Sequence, residues 1–205
     1  MSKIELVALG RNEVKKAVRS NTGNLYIPVG IEPDTCSISI SNCIPMRQVS
    51  GTDVYTSVSL DGRLATVGEL IGEGFTSIGD AFTAAKNSSQ DLVEIANIGE
   101  IFGHEGLDLF ALTTNGGRRG ASVLSMITCF RDICRKLNVP GAYLLPSSVN
   151  EALVVPDTLD ASIAKSGLKM IVREINGDKS LVPDEIVLSD NVFYYKFGEA
   201  SLTTV

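Results

Sequence analysis

Three short stretches carry residue types that could do chemistry. In Pro146-Ser-Ser-Val-Asn-Glu151, Ser147 and Ser148 stand between two apolar runs with Glu151 close behind, the setting in which a turn can display a serine nucleophile beside a carboxylate. The competing reading is structural: proline presets φ and the serine hydroxyls satisfy turn backbone. The stretch also lacks the Gly-x-Ser-x-Gly elbow of the hydrolases. In Asn115-Gly-Gly-Arg-Arg-Gly120, Arg118 and Arg119 offer two guanidinium forks that match a phosphate or carboxylate, on a backbone rich in glycine. No Walker lysine and serine follow, and a solvated turn after an Asn-Gly pair accounts for the same residues. In Phe102-Gly-His-Glu-Gly106, His104 is the sole imidazole of the chain. Without a second histidine it makes no His-His metal pair, and Glu105 and Asp108 would add only a weak cation contact.

The elements that position these stretches are legible as short strands and helices. Strands are expected over Ile4 to Leu9, Asn24 to Val29, Ser37 to Ile40, Ile44 to Val49 and Asp53 to Leu60, with a short helix over Arg11 to Arg19. Thr66-Val-Gly-Glu69 has the spacing of a capping box and opens one helix. Ser77 or Thr76 caps the next, whose Ile78, Ala81, Phe82 and Ala85 form one apolar stripe. Leu107 to Thr113 reads as a strand, Asn115 to Gly117 as a tight turn, and Gly120 to Val123 as a short return strand. The next helix, Ser122 to Asn138, aligns Val123, Met126, Ile127, Phe130, Ile133, Cys134 and Leu137. Ala142 to Leu145 and Ala152 to Pro156 read as strands around the serine turn. A helix over Asp160 to Asn176 with Ile163, Met170, Ile171 and Ile175 inward follows, then a tail strand over Asn191 to Phe197.

Composition excludes several classes. Eighteen Lys plus Arg against 24 Asp plus Glu leave a net charge of −6, the wrong sign for a protein that neutralises many phosphates, so no nucleic acid partner is expected. Apolar runs are strand-sized, far short of the roughly 18 residues a membrane helix needs. The first ten residues carry Glu5 within their apolar stretch and no small-residue cleavage site, so they do not read as a secretory signal and the expected location is cytoplasmic. The four cysteines, Cys36, Cys43, Cys129 and Cys134, have neither zinc-knuckle nor thioredoxin spacing and are expected as free thiols.

The C-terminal half carries a resemblance. Leu109-Phe-Ala-Leu-Thr-Thr-Asn115, Gly120-Ala121, Leu145-Pro-Ser-Ser-Val-Asn-Glu151 through Val155-Pro156, Met170-Ile-Val-Arg-Glu-Ile-Asn176 and Leu188-Ser-Asp-Asn-Val-Phe-Tyr194 occur in order. This series resembles an uncharacterised domain family of gut bacteria and the mobile elements they carry. The resemblance spans 107 to 197, has a fainter counterpart over 50 to 95, and does not extend into 1 to 50. It implies a fold class and no reaction. Members usually carry histidine where this chain has Asn150, so a Ser-His-Glu constellation would lack its proton acceptor here.

The expectation is therefore an α+β fold of antiparallel or mixed sheets with helices packed on one face. It divides into a β-rich part over 1–50, a strand plus two short helices over 51–95, and a sheet-plus-helices unit over 96–205. The leading functional reading is a non-enzymatic interaction or assembly protein, encoded by a phage or other mobile element, that meets a protein partner or itself. It uses no cofactor, no metal and no membrane. The alternatives are a small serine hydrolase using Ser147 or Ser148, and a small-anion-binding regulator using Arg118 and Arg119. Arg118, Arg119, Ser147, Ser148, Asn150 and Glu151 are the binding candidates, and no residue is assigned as catalytic.

Overall fold

A computed structural model describes residues 2–19, 26–28, 40–101, 108–146, 148–158 and 161–205. The expected strand over Ser37 to Ile40 lies outside them up to residue 39, as do Cys36, His104, Glu105, Ser147 and the side chain of Ile163.

The described residues build two sheets. The first is formed by β1 (Ile4–Leu9), β2 (Tyr26–Pro28), β3 (Ile44–Gln48), β4 (Tyr55–Leu60) and β5 (Arg63–Leu64), in the order β1-β4-β3-β2 with β5 paired to β4. β1 runs antiparallel to β4, with Ile4 opposite Leu60 and Leu9 opposite Tyr55. Asp61 and Gly62, both at positive φ, turn β4 into β5. Helix α1 (Arg11–Arg19) follows β1, as expected from its composition. The Thr66 capping box is formed and starts α2 (Val67–Gly72), and the Ser77 hydroxyl caps α3 (Ile78–Gln90). The α3 stripe then meets the sheet: Ala81, Phe82 and Ala85 pack on Leu6, Val58 and Leu60.

The second sheet is antiparallel throughout, in the order β11-β10-β8-β9-β7-β6. Its strands are β6 (Glu94–Asn97), β7 (Phe110–Thr113), β8 (Gly141–Leu145), β9 (Ala152–Pro156), β10 (Phe193–Lys196) and β11 (Leu202–Thr204). Short helix α4 (Ile98–Ile101) continues from β6. Helix α5 (Ile127–Leu137) lays Phe130, Ile133 and Cys134 against Leu144, Val154, Phe193 and Tyr195. On the opposite face, α6 (Ala161–Gly177) brings Leu168 and Val172 to Tyr143, Leu145 and Val192. The α+β class is as expected. The second sheet departs from the expectation of helices on one face: α5 covers one face and α6 the other, which buries all five residues of β8.

Two local expectations are corrected. Gly120 to Val123 is no return strand: residues Gly120–Ser125 form a 3-10 helix, and α5 begins only at Ile127. β7 already has β6 on one side and β9 on the other, so no edge remains for a hairpin partner. On α6 the inward face is turned from the expected one: Met170 and Ile171 are 58% and 45% exposed, while Val172 and Asn176 are buried.

The described cysteines, Cys43, Cys129 and Cys134, are buried, and Cys129 and Cys134 are free thiols. Burial, with a smaller push from the charge of Asp157, raises the Cys134 thiol to about 11, far from the reactive thiolate range.

Candidate functional site

Two of the three stretches singled out in the sequence, the Asn115–Gly120 loop and the serine turn, converge on the end of β1. Asn115 donates from its side-chain nitrogen to the Leu6 carbonyl at 3.0 Å, and the Ala8 N–H donates to the Arg119 carbonyl at 2.9 Å. The loop thereby satisfies the edge of β1 that faces away from β4. Arg119 sits in the left-handed region, φ 52°, and its guanidinium makes two 2.7 Å bonds to the Glu13 carboxylate and one of 3.2 Å to the Ala8 carbonyl. Its fork is thus filled by a bidentate partner. Arg118 is exposed and has no ion pair among the described residues.

The helix-end and tail motifs meet on the other side of α1. Asn176 donates to the Ser189 carbonyl and to the Asp190 carboxylate, both at 2.9 Å, and Arg11 pairs with the same carboxylate. Burial works against the charge on Asp190, but donation from Asn176 and Arg11 outweighs it and holds the carboxyl below its ordinary range. Ser189 and Asn191 in turn both donate to Asp53.

The serine turn joins this junction. Ser148 is 8% exposed, and its hydroxyl accepts from the Asn150 N–H at 3.1 Å, a local bond typical of serine in turns. The Asn150 side-chain oxygen accepts from the Arg119 N–H at 3.4 Å, and the Asn150 carbonyl accepts from the Thr113 hydroxyl at 2.6 Å. Glu151 is exposed. The candidates Arg119, Ser148 and Asn150 are therefore brought together, and their polar atoms face one another. Replacing Ser148 by Ala should cost about 1 kcal/mol in chemical denaturation, the worth of one such bond, with parent and variant equally inert to a serine-directed fluorophosphonate. Stoichiometric labelling of the parent that the substitution removes would make Ser148 a nucleophile instead.

A second place differs in kind, and its members are scattered along the chain. Leu6 of β1, Arg47 and Gln48 of β3, Thr56 of β4, Phe82 and Lys86 of α3, Ser125 of the 3-10 helix, Ile127 at the start of α5, and Ser201 before β11 line an open pocket of about 260 Å³. The Arg47 guanidinium lies over the Phe82 ring, 4.5 Å from its centre, and Lys86 follows Phe82 by one helical turn. Burial lowers the pKa of Arg47. A guanidinium remains charged at neutral pH even so, and Arg47 is exposed, so its charge keeps contact with solvent. Neither cation forms a salt bridge among the described residues, and the lining contains no carboxylate, imidazole or thiol. Two positive charges and several hydroxyls can bind an anion. They offer no group that exchanges a proton near neutral pH.

Sequence reading missed this cavity. The i, i+4 spacing of Phe82 and Lys86 was visible, but nothing local ties them to Arg47 or Ser201.

Comparison with known proteins adds one relationship. The model of a family of unknown function, DUF5688, matches residues 65–196, well over half of the 205. The chain belongs to this family. The span shared with DUF5688 runs from before α2 through β10 and holds the serine turn, the Arg118-Arg119 loop and the Asn176 and Asp190 network. It supplies Phe82, Lys86, Leu124, Ser125 and Ile127 to the cavity, whereas Arg47, Gln48 and Ser50 precede it. No curated protein and no solved structure matches the chain.

Proposed function

We propose that this member of DUF5688 is a non-enzymatic interaction protein that recognises an anionic group in the open pocket beside Arg47 and Lys86 and takes its partner through that group. The observation that carries the reading is that Arg47 and Lys86 line one pocket that has no carboxylate among its described lining residues, in a chain whose net charge is −6. An acidic protein repels anions at long range, so a local site for one has to be built from cations left without internal partners. The Arg118-Arg119 loop is the weaker place for such a site, because Arg119 is already engaged by Glu13. Cytoplasmic residence is supported by the buried free thiols of Cys129 and Cys134. The order of the turn, helix-end and tail motifs supports an origin in a gut bacterium or a mobile element.

The test is thermal unfolding in rising concentrations of sodium acetate and of sodium phosphate. Ligands that bind only the folded state stabilise it by RT ln(1 + L/Kd), where L is the free ligand concentration, and so raise the melting temperature as that concentration rises. The parent should gain stability beyond that of an Arg47→Gln, Lys86→Gln double variant, which controls for general salt effects. Identical curves for the two proteins would remove the cavity as an anion site.

A further inference from the structure

Asparagine followed by glycine occurs twice in the chain, at Asn115-Gly116 and Asn176-Gly177. Such a pair is reactive, because glycine has no side chain to keep its backbone nitrogen away from the preceding side-chain amide. The structure treats the two pairs differently. Asn176 is 3% exposed, and its side-chain nitrogen donates to two acceptors, the Ser189 carbonyl and the Asp190 carboxylate. Gly177 closes the last turn of α6, where helical hydrogen bonding fixes the backbone. Asn115 is half-buried and tied by one hydrogen bond, from its side-chain nitrogen to the Leu6 carbonyl, while its side-chain oxygen has no partner among the described residues. Gly116 is exposed, its N–H donates to no described residue, and open space lies where a Cβ would point. Loss of a single bond therefore lets the Asn115 side chain swing toward a solvated nitrogen that nothing else engages.

We propose that Asn115 is a site of self-modification, at which the side-chain amide is lost and aspartate or isoaspartate forms. The Gly116 nitrogen bonds to the Asn115 Cγ and gives up its proton; the Cγ–Nδ2 bond breaks, and Nδ2 leaves with that proton as ammonia. Water then opens the cyclic imide. Hydrolysis at one carbonyl restores the backbone with an aspartate side chain, and hydrolysis at the other routes the backbone through Cγ. Either product lacks the donor that Asn115 offers to Leu6 and sets a carboxylate against that carbonyl, so the outer edge of β1 loses its cap.

Peptide mapping by mass spectrometry of the full chain, incubated in mildly alkaline buffer, tests the assignment. The same chain in concentrated urea is the reference, and there both asparagines should convert at similar rates. In the native protein, conversion at Asn115 should outpace that at Asn176 by more than about tenfold, because the end of α6 and the two bonds on Asn176 must open before it can react. The converted fraction, separated by ion exchange, should melt roughly 2 to 10 °C below the parent, the effect of a carbonyl left without its donor. Asn115→Asp should melt with that fraction. Native Asn115 that stays an amide while the urea sample converts, or native Asn176 that converts as fast as Asn115, would overturn the proposal. A converted fraction and an Asn115→Asp protein that both melt with the parent would overturn the role given to the Leu6 bond.

Discussion

Replacing Phe130 by Ala should destabilise the protein by about 3 to 5 kcal/mol, because the ring is fully buried and its removal leaves a large cavity. Phe130 stands at the centre of the face that α5 turns to the second sheet, with its ring centre 6.1 Å from that of Tyr195 on β10. Around it Leu144 of β8 and Val154 of β9 belong to the same cluster, so three strands lose a neighbour at once. Close packing leaves those strands little freedom to collapse inward. For a chain of this length a loss of that size lowers the melting temperature by roughly 6 to 20 °C. Arg131, the next residue, is exposed, and its Ala variant should stay within about 0.5 kcal/mol of the parent. A Phe130→Ala protein that melts within a degree or two of the parent would contradict the packing of α5.

Gly120→Ala should be comparably severe for the opposite reason. A Cβ at this position would lie 2.0 Å from the Thr113 hydroxyl oxygen and 2.5 and 2.6 Å from the Thr114 backbone N and O. A side chain could rotate away, but the backbone at the end of β7 cannot, because β6 and β9 hold that strand on both sides. Relief would also break the Thr113 bond to the Asn150 carbonyl. The expected loss is about 3 kcal/mol, at the upper end of what overpacking costs. Gly72 is the control. It lies at the last position of α2 with open space where a Cβ would go, and alanine there should be neutral or stabilising by up to about 1 kcal/mol. Equal denaturation midpoints for Gly120→Ala and the parent would show that the 113–120 turn has another course.

What could be read from the sequence divides along physical lines. The bounds of β1 and α1, the Thr66 and Ser77 caps and the α3 stripe are legible in the sequence, because capping and period are local signals. The α5 face was found for the same reason. Residues 120–125 misled because Ala121, Ser122, Val123 and Leu124 are buried on every side, so no period separates strand from helix. On α6 the buried position Asn176 is polar, held by Ser189 and Asp190, while Met170 and Ile171 are apolar and exposed; hydropathy alone points the wrong way there. β6 and β11 are too short and too mixed to show alternation. Of the site candidates, the turn and loop residues announced themselves through glycine, proline and serine. The Arg47 and Lys86 pocket stayed hidden because its lining runs from Leu6 to Ser201 and is assembled only in the folded chain.

The way β1 is finished has a consequence for synthesis. Its carbonyls at Leu6 and Ala8 wait for donors 109 and 111 residues later in the chain, and Arg11 waits 179 residues for Asp190. At the usual elongation rate of roughly 5 to 20 residues per second, the N-terminal strand leaves the ribosome several seconds before its outer edge can be covered. Over that interval it presents apolar surface and unpaired backbone, the features that recruit chaperones or seed aggregation. Contacts of such long range also make folding slow, since the entropy of closing the loop is spent before the contact is gained. During synthesis β1 is thus left with an uncovered edge for that interval, and shielding it should raise the yield of folded protein.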